Sequence, residues 1–288
     1  MNQQAADIVY LNGSFLKRAE AALSLEDRGA MFADGVYELV SFFAGRPLAI
    51  HAHHQRLKRS MQQILLDAPV DDLPDVSHQL LRQNGLTHAR VYWQVTRGPA
   101  PRWHGFPQHA SPTVFAIAYP QPPLPDNPEP HALRAILTED QRWARCDIKS
   151  LMLRPNVLAK EKARRAGADE AILVRDGRVT EGTSTNVFIL RDGILHTHPA
   201  DQWILGGVTR NLVIDAAHTL GLEVEQHPFD THALKSAEQV MLCGTSTHLA
   251  AVVEVDNQPI ADRHIHPTTR QLHHALIQTI RSQCALTP

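Results

Sequence analysis

Hydrophobic and polar positions follow two spacings along the chain, and the switch between them marks its elements. Ile8-Val9-Tyr10-Leu11 and Ser14-Phe15-Leu16 flank Asn12-Gly13, a pair favoured by two-residue hairpin turns. Across residues 52–66 the apolar Leu57, Met61, Ile64 and Leu65 recur at helical spacing. Residues 91–95 and 113–119 read as strands, the second rich in β-branched and aromatic side chains. Six prolines among the eleven residues 120–130 then exclude a helix or central strand and predict an extended connector.

Beyond the connector, strand and helix patterns mix. Residues 132–137 are strand-like, and 157–166 are helical up to Gly167, which suits a left-handed C-terminal cap. Residues 171–174 and 187–190, with turns at Asp176-Gly177 and Asp192-Gly193, predict antiparallel hairpins. Residues 209–220 form an amphipathic helix ending at Gly221, and 268–281 form the last one. No internal repeat is visible. The pattern predicts an α+β chain of two α/β-type domains, 1–120 (smaller) and 131–288 (larger), joined by a Pro-rich linker at 120–130. A binding site is expected at the domain interface.

Composition narrows the function classes. At 288 residues, with 43% hydrophobic and 20% charged residues, the chain has material for two cores. A net charge of -2 without long single-sign runs argues against nucleic-acid and membrane partners. No apolar stretch approaches the ~20 residues that span a bilayer. Residues 1–6 are polar and lack a signal-peptide pattern. Cys146, Cys243 and Cys284 form no C-x-x-C pair and read as reduced thiols in the cytoplasm. Among the 18 histidines are the pairs His51/His53, His196/His198 and His264/His266, but no H-E-x-x-H occurs. Surface histidines rather than a metal site are expected.

The candidate chemistry centres on Lys149, flanked by Ile148 and Leu151, and on Glu181, thirty-two residues later. Gly206-Gly207-Val208-Thr209-Arg210 opens a helix, where free amides and the helix dipole favour an anion; a simple glycine turn has the same sequence. Gly244-Thr245-Ser246-Thr247 follows a strand with amides and hydroxyls, and Arg56 offers a guanidinium fork or simply a polar helix face. An amine, a carboxylate and phosphate-binding elements together suit pyridoxal phosphate.

With Phe32-Ala33-Asp34-Gly35-Val36-Tyr37-Glu38 and His53-x-x-Arg56-Leu57, these motifs fall in an order that resembles the fold type IV pyridoxal-phosphate enzymes across roughly residues 7–260. That class includes branched-chain and D-amino acid aminotransferases and aminodeoxychorismate lyase. The resemblance implies that Lys149 forms the Schiff base and Glu181 holds the ring nitrogen protonated. It implies that Arg56, Val208, Thr209 and Thr245 bind phosphate, that Leu205 packs on the ring face, and that Arg142 lies near the ring hydroxyl.

The loop Thr96-Arg97-Gly98-Pro99-Ala100-Pro101-Arg102-Trp103-His104-Gly105-Phe106-Pro107 bears on the substrate. Arg102 and His104, two apart, can face one way and grip a carboxylate; a solvated surface loop is the alternative. Arg-x-His looks like the carboxylate trap of D-amino acid aminotransferases, reaching into the partner subunit's site beside a tyrosine matching Tyr37. A homodimer acting on D-amino acids and 2-oxo acids such as 2-oxoglutarate is the implied reading. A branched-chain L-aminotransferase, aminodeoxychorismate lyase and a non-catalytic or metal-binding protein on this scaffold are the alternatives. Met152 and His248 depart from the family pattern, where asparagine and glutamate are usual, and put the substrate pocket in question.

Overall fold

The computed structural model describes residues 4–109, 111–126 and 128–286. The first three residues and Asn127 of the proline-rich connector lie outside the described residues.

The first unit runs to Pro125 and is built on one sheet. Its strands are β1 (Ile8–Leu11), β2 (Ser14–Lys17), β3 (Gly35–Phe43), β4 (Arg46–Pro47), β5 (Ala89–Thr96) and β6 (Thr113–Pro120). They pair antiparallel in the order β2-β1-β6-β5-β3-β4. The β1–β2 turn is the expected one: Asn12 and Gly13 both have positive φ, 45° and 88°. A short helix, α1 (Arg28–Phe32), precedes β3, and α2 (Ile50–Gln63) and α3 (Leu73–Gln83) follow β4. The alternation that sends Val91, Trp93 and Val95 to one face of β5 fills the core with them. Trp93 is fully buried and its indole N–H donates to Ser77 Oγ on α3 at 2.8 Å.

The second unit has strands β7 (Ala132–Glu139), β8 (Glu170–Arg175), β9 (Arg178–Gly182), β10 (Asn186–Arg191), β11 (Ile194–Thr197), β12 (Val224–Gln226), β13 (Gln239–Gly244), β14 (His248–Val255) and β15 (Gln258–Pro259). Its helices are α4 (Arg154–Arg165), α5 (Val208–Thr219), α6 (Thr231–Lys235) and α7 (Pro267–Gln283). The hairpins β8–β9 and β10–β11 are antiparallel, as the turn residues imply. Parallel pairs β14–β7, β7–β8 and β11–β12 make the sheet mixed. The sheet order is β12-β11-β10-β13-β14-β7-β8-β9, and β9 also pairs with β10 through Glu181 and Asn186, closing a ring. Ile172, Val187, Ile189, Val240, Leu242 and Val252 fill its core.

The architecture is α+β with two sheets. Its units differ from a single division at 120–130, because Ile148–Met152 and the C-terminal residues from Arg281 belong to the first. The physical reason is backbone pairing: Tyr37 N–H donates to Lys149 O and Leu151 N–H to Gly35 O, each at 3.0 Å, so the lysine segment extends the start of β3. No described helix is long and apolar enough to cross a membrane.

Trp93→Ala should destabilise the first unit by about 3–5 kcal/mol, because a large cavity opens and Ser77 loses the indole donor while keeping its own bond to Leu73 O. Urea unfolding followed by circular dichroism measures it, and a loss below 1 kcal/mol would contradict this packing.

Candidate active site

Lys149 is half-buried in the first unit. Its N–H donates to Ser60 Oγ at 3.3 Å, tying it to α2, and its carbonyl is held by Tyr37. Gly35 permits this approach: a Cβ there would stand 2.5 Å from Val95 O and 2.8 Å from Leu151 Cδ1. Lys149 Nζ lies 4.2 Å from the centroid of the Tyr37 ring. Tyr37 stacks on Tyr92 at 5.6 Å, so the ammonium meets a braced aromatic face.

Arg56 stands on the buried face of α2 with His53 and Ser60. Its Nε and Nη2 donate to Glu38 Oε1 and Oε2 at 2.6 and 2.9 Å. His53 Nδ1 lies 2.8 Å from Glu38 Oε2. Burial pushes Glu38 up, but the Arg56 charge and the His53 bond outweigh it and hold the carboxyl well below its usual range. Burial pushes His53 down against the pull of Glu38, so a neutral imidazole flanks a charged pair.

Arg102 and His104 are exposed and both pack on Phe32, at 5.5 and 5.4 Å. Their loop is pinned from below. Arg28 donates to the carbonyls of Trp103, Gly105 and His104 at 2.6, 3.3 and 3.4 Å, and to Asp34 at 2.8 Å. Arg97 grips both Asp34 oxygens at 2.8 and 3.1 Å. The backbone is fixed while the two candidate carboxylate donors face outward together.

Glu181 is buried in the second unit, opposite Asn186. Its Oε2 accepts from Asn186 Nδ2 and Leu205 N, both at 3.0 Å, and Arg142 bonds Oε1. Burial raises the Glu181 pKa and outweighs the pull of Arg142 and the Leu205 amide. Asp140, which takes Arg142 Nε and Nη2 at 2.9 and 2.7 Å, adds a smaller push in the same direction through its negative charge. Thr180 Oγ1 adds a bond to Asp140 at 2.9 Å.

Gly207 caps α5 without a side-chain bond, so no side chain competes for the first amides of the helix at Val208 and Thr209. A Cβ on Gly207 would stand 2.0 Å from Asn186 Oδ1, so only glycine fits. Leu205 O accepts from Asn186 Nδ2 at 2.9 Å, linking this turn to Glu181. Thr245 lies in the turn between β13 and β14, beside Gly244, whose Cβ would approach Ser184 O to 3.2 Å.

The structure thus joins Lys149 with Tyr37, Arg102 with His104, and Glu181 with Arg142 and the Leu205 backbone. Sequence reasoning assigned no role to Asp140, Asn186 or Glu38. A charged residue between the apolar Val36 and Val40 is the signal that could have marked Glu38 as a buried ion. Among the described residues no group of histidine, cysteine or carboxylate side chains is placed to hold a metal.

Residues 35–255 match the family Amino-transferase class IV. The chain belongs to this family. It is an aminotransferase, and its curated relatives match from end to end. The D-alanine aminotransferase of Staphylococcus haemolyticus is 38% identical over 278 residues, covering 96% of this chain and 98% of the relative. The D-alanine aminotransferase of Bacillus licheniformis is 37% identical over 281 residues, covering 97% and 99%. Among solved class IV folds, the branched-chain amino acid aminotransferase from Escherichia coli superposes with a TM-score of 0.87 at 24% identity, covering 94% and 93%. The PLP (holo) form of the Thermobaculum terrenum branched-chain enzyme gives 0.83 at 25%, covering 98% and 96%.

The Asp140 network carries a pH signature. Burial pushes Asp140 up, yet the Arg142 bonds outweigh it and hold it at about 2 against an ordinary 3.8. A carboxyl depressed on folding stabilises above its unfolded pKa and loses that contribution as pH falls through the folded value. Unfolding free energy should therefore drop more steeply from pH 3.8 to about 2 in the native enzyme than in Asp140→Asn. Denaturant titrations across that window measure both slopes, and equal slopes would remove Asp140 from the network.

Proposed function

We propose that this chain is a pyridoxal-phosphate-dependent D-amino acid aminotransferase, moving an amino group between D-alanine or a similar D-amino acid and a 2-oxo acid such as 2-oxoglutarate. The observation that carries this reading is end-to-end similarity, at 38% and 37% identity, to relatives named D-alanine aminotransferase. The paired, outward-facing Arg102 and His104 support it.

The residues present fit the cofactor. A buried carboxylate, which gains from a cationic partner, suits a protonated pyridine nitrogen, and an uncapped helix start after two glycines suits a phosphate. Bound pyridoxal phosphate supplies an electron-withdrawing ring conjugated to the substrate's α-carbon. Lys149 would hold the cofactor covalently and, once released, take the Cα proton on Nζ. Glu181 would keep the proton on the ring nitrogen, with Arg142 tuning that carboxylate and standing near the ring hydroxyl. Arg56, Val208, Thr209 and Thr245 would hold the phosphate, and Leu205 would cover the ring face. Arg102, His104 and Tyr37 would take the substrate carboxylate, the loop coming from the second copy of a homodimer. A row of half-buried aromatics on the first sheet, Tyr37, Tyr92 and Phe115, supports such an association. A cytoplasmic setting is supported by three free, buried cysteines.

Lys149→Ala should abolish transamination and the near-visible absorbance of the purified enzyme. Borohydride reduction and peptide mapping should label Lys149; a label on Lys160 or Lys162 would reassign the role. Arg102→Ala should raise the KM for D-alanine about tenfold or more with cofactor binding unchanged, since a charge-assisted pair is lost. Wild-type D-alanine kinetics in that variant, or a native preference for L-leucine, would favour the branched-chain reading. Pyruvate release from aminodeoxychorismate would favour the lyase.

A further inference from the structure

Glu38 is fully buried, projecting from β3 on the face that carries Val36 and Val40. A carboxylate in such a place is costly unless charged and hydrogen-bonding partners compensate it. Here they over-compensate. Oε1 accepts from Arg56 Nε at 2.6 Å, while Oε2 receives Arg56 Nη2 at 2.9 Å, His53 Nδ1 at 2.8 Å and the Leu39 N–H at 3.2 Å. His53 and Arg56 stand three apart on α2, on one helix face, so a single surface of that helix grips both oxygens. A lone arginine side chain has several rotatable bonds, and a two-point contact removes most of that freedom. Ser60, one turn further along α2, holds the Lys149 N–H. The helix thus registers the arginine and the lysine segment together, and Glu38 fixes the plane of the guanidinium within that register.

We infer that Glu38 is a positioning residue: it orients the Arg56 guanidinium toward a phosphate ester, so that cofactor binding depends on the phosphate group. The inference rests on the reading of Arg56 as a phosphate ligand. An apolar pair could fill the same space at similar stability, so a carboxylate here makes sense where the orientation of the cation matters. The neutral His53 donates to Glu38 without adding a second cation, leaving Arg56 as the group whose direction is set.

Equilibrium dialysis of the apoenzyme against pyridoxal phosphate and against pyridoxal, which lacks the phosphate, tests this. In Glu38→Gln only one acceptor oxygen remains, and the Kd for pyridoxal phosphate should rise about tenfold while that for pyridoxal stays within about twofold. Glu38→Asp keeps the charge but shortens the reach, and should give the same selective loss if Glu38→Gln does not fold. In an Arg56→Met background, Glu38→Gln should change neither Kd further. An equal loss for both ligands, no loss, or a full additional loss in the Arg56→Met background would overturn the inference. If Arg56→Met itself left the preference for the phosphorylated ligand intact, the phosphate role of Arg56 would fall. An effect of Arg56→Met without one of either Glu38 variant would overturn the role of Glu38 alone.

Discussion

Two backbone hydrogen bonds, from Tyr37 N–H to Lys149 O and from Leu151 N–H to Gly35 O, decide where the lysine of this enzyme stands. They add a short extended segment to the start of β3. Their geometry tolerates no Cβ at Gly35, which would collide with Val95 O. Once they form, the Lys149 side chain lies on the Tyr37 face, and its amide reaches Ser60 on α2. A primary amine on a four-carbon stem is otherwise mobile, so its placement has to come from the backbone beneath it.

Two buried glutamates take opposite settings for reasons visible in their partners. Glu38 has a guanidinium fork to itself and a histidine beside it, which hold its carboxyl well below the usual range. Glu181 shares its guanidinium with Asp140, and burial dominates, leaving a carboxyl with raised proton affinity. The same side chain is therefore an anchor in one unit and, under the proposed reading, a proton-holding partner in the other. Both are buried; in Glu38 the Arg56 charge and the His53 bond outweigh that burial, and in Glu181 the Arg142 charge and the Leu205 amide do not.

Much of this was legible along the chain. Turns at Asn12-Gly13, Asp176-Gly177 and Asp192-Gly193 name themselves by residue type, and all six of these residues have positive φ. Helix α5 follows from its glycine boundaries. Other elements were masked. In β3 both faces are largely buried, so no period-two alternation marks it. Helix α3 carries Leu73, Val76, Leu80 and Leu81 at helical spacing, but Pro69 and Pro74 make its start look like a loop; Pro74 occupies the first turn, where a helix tolerates it. Lys149, Glu181 and Arg56 stand out as residue types. Ser60, the partner of Lys149, and Glu38, the partner of Arg56, do not, because those pairs lie 89 and 18 residues apart in the chain and form through tertiary packing rather than local pattern.

The return of Ile148–Met152 to the first unit makes the second unit discontinuous, running from Asp126 to Asp147 and again from Leu153 to Ile280. A polypeptide ending at the proline-rich connector would lack the stretch that completes the start of β3. A polypeptide beginning there would carry that stretch with its backbone donors and acceptors unmatched. Chain order and spatial order diverge there and again from Arg281, so vectorial synthesis cannot complete the start of β3 before more than half of the chain has emerged, nor the whole first unit before its C-terminal residues follow.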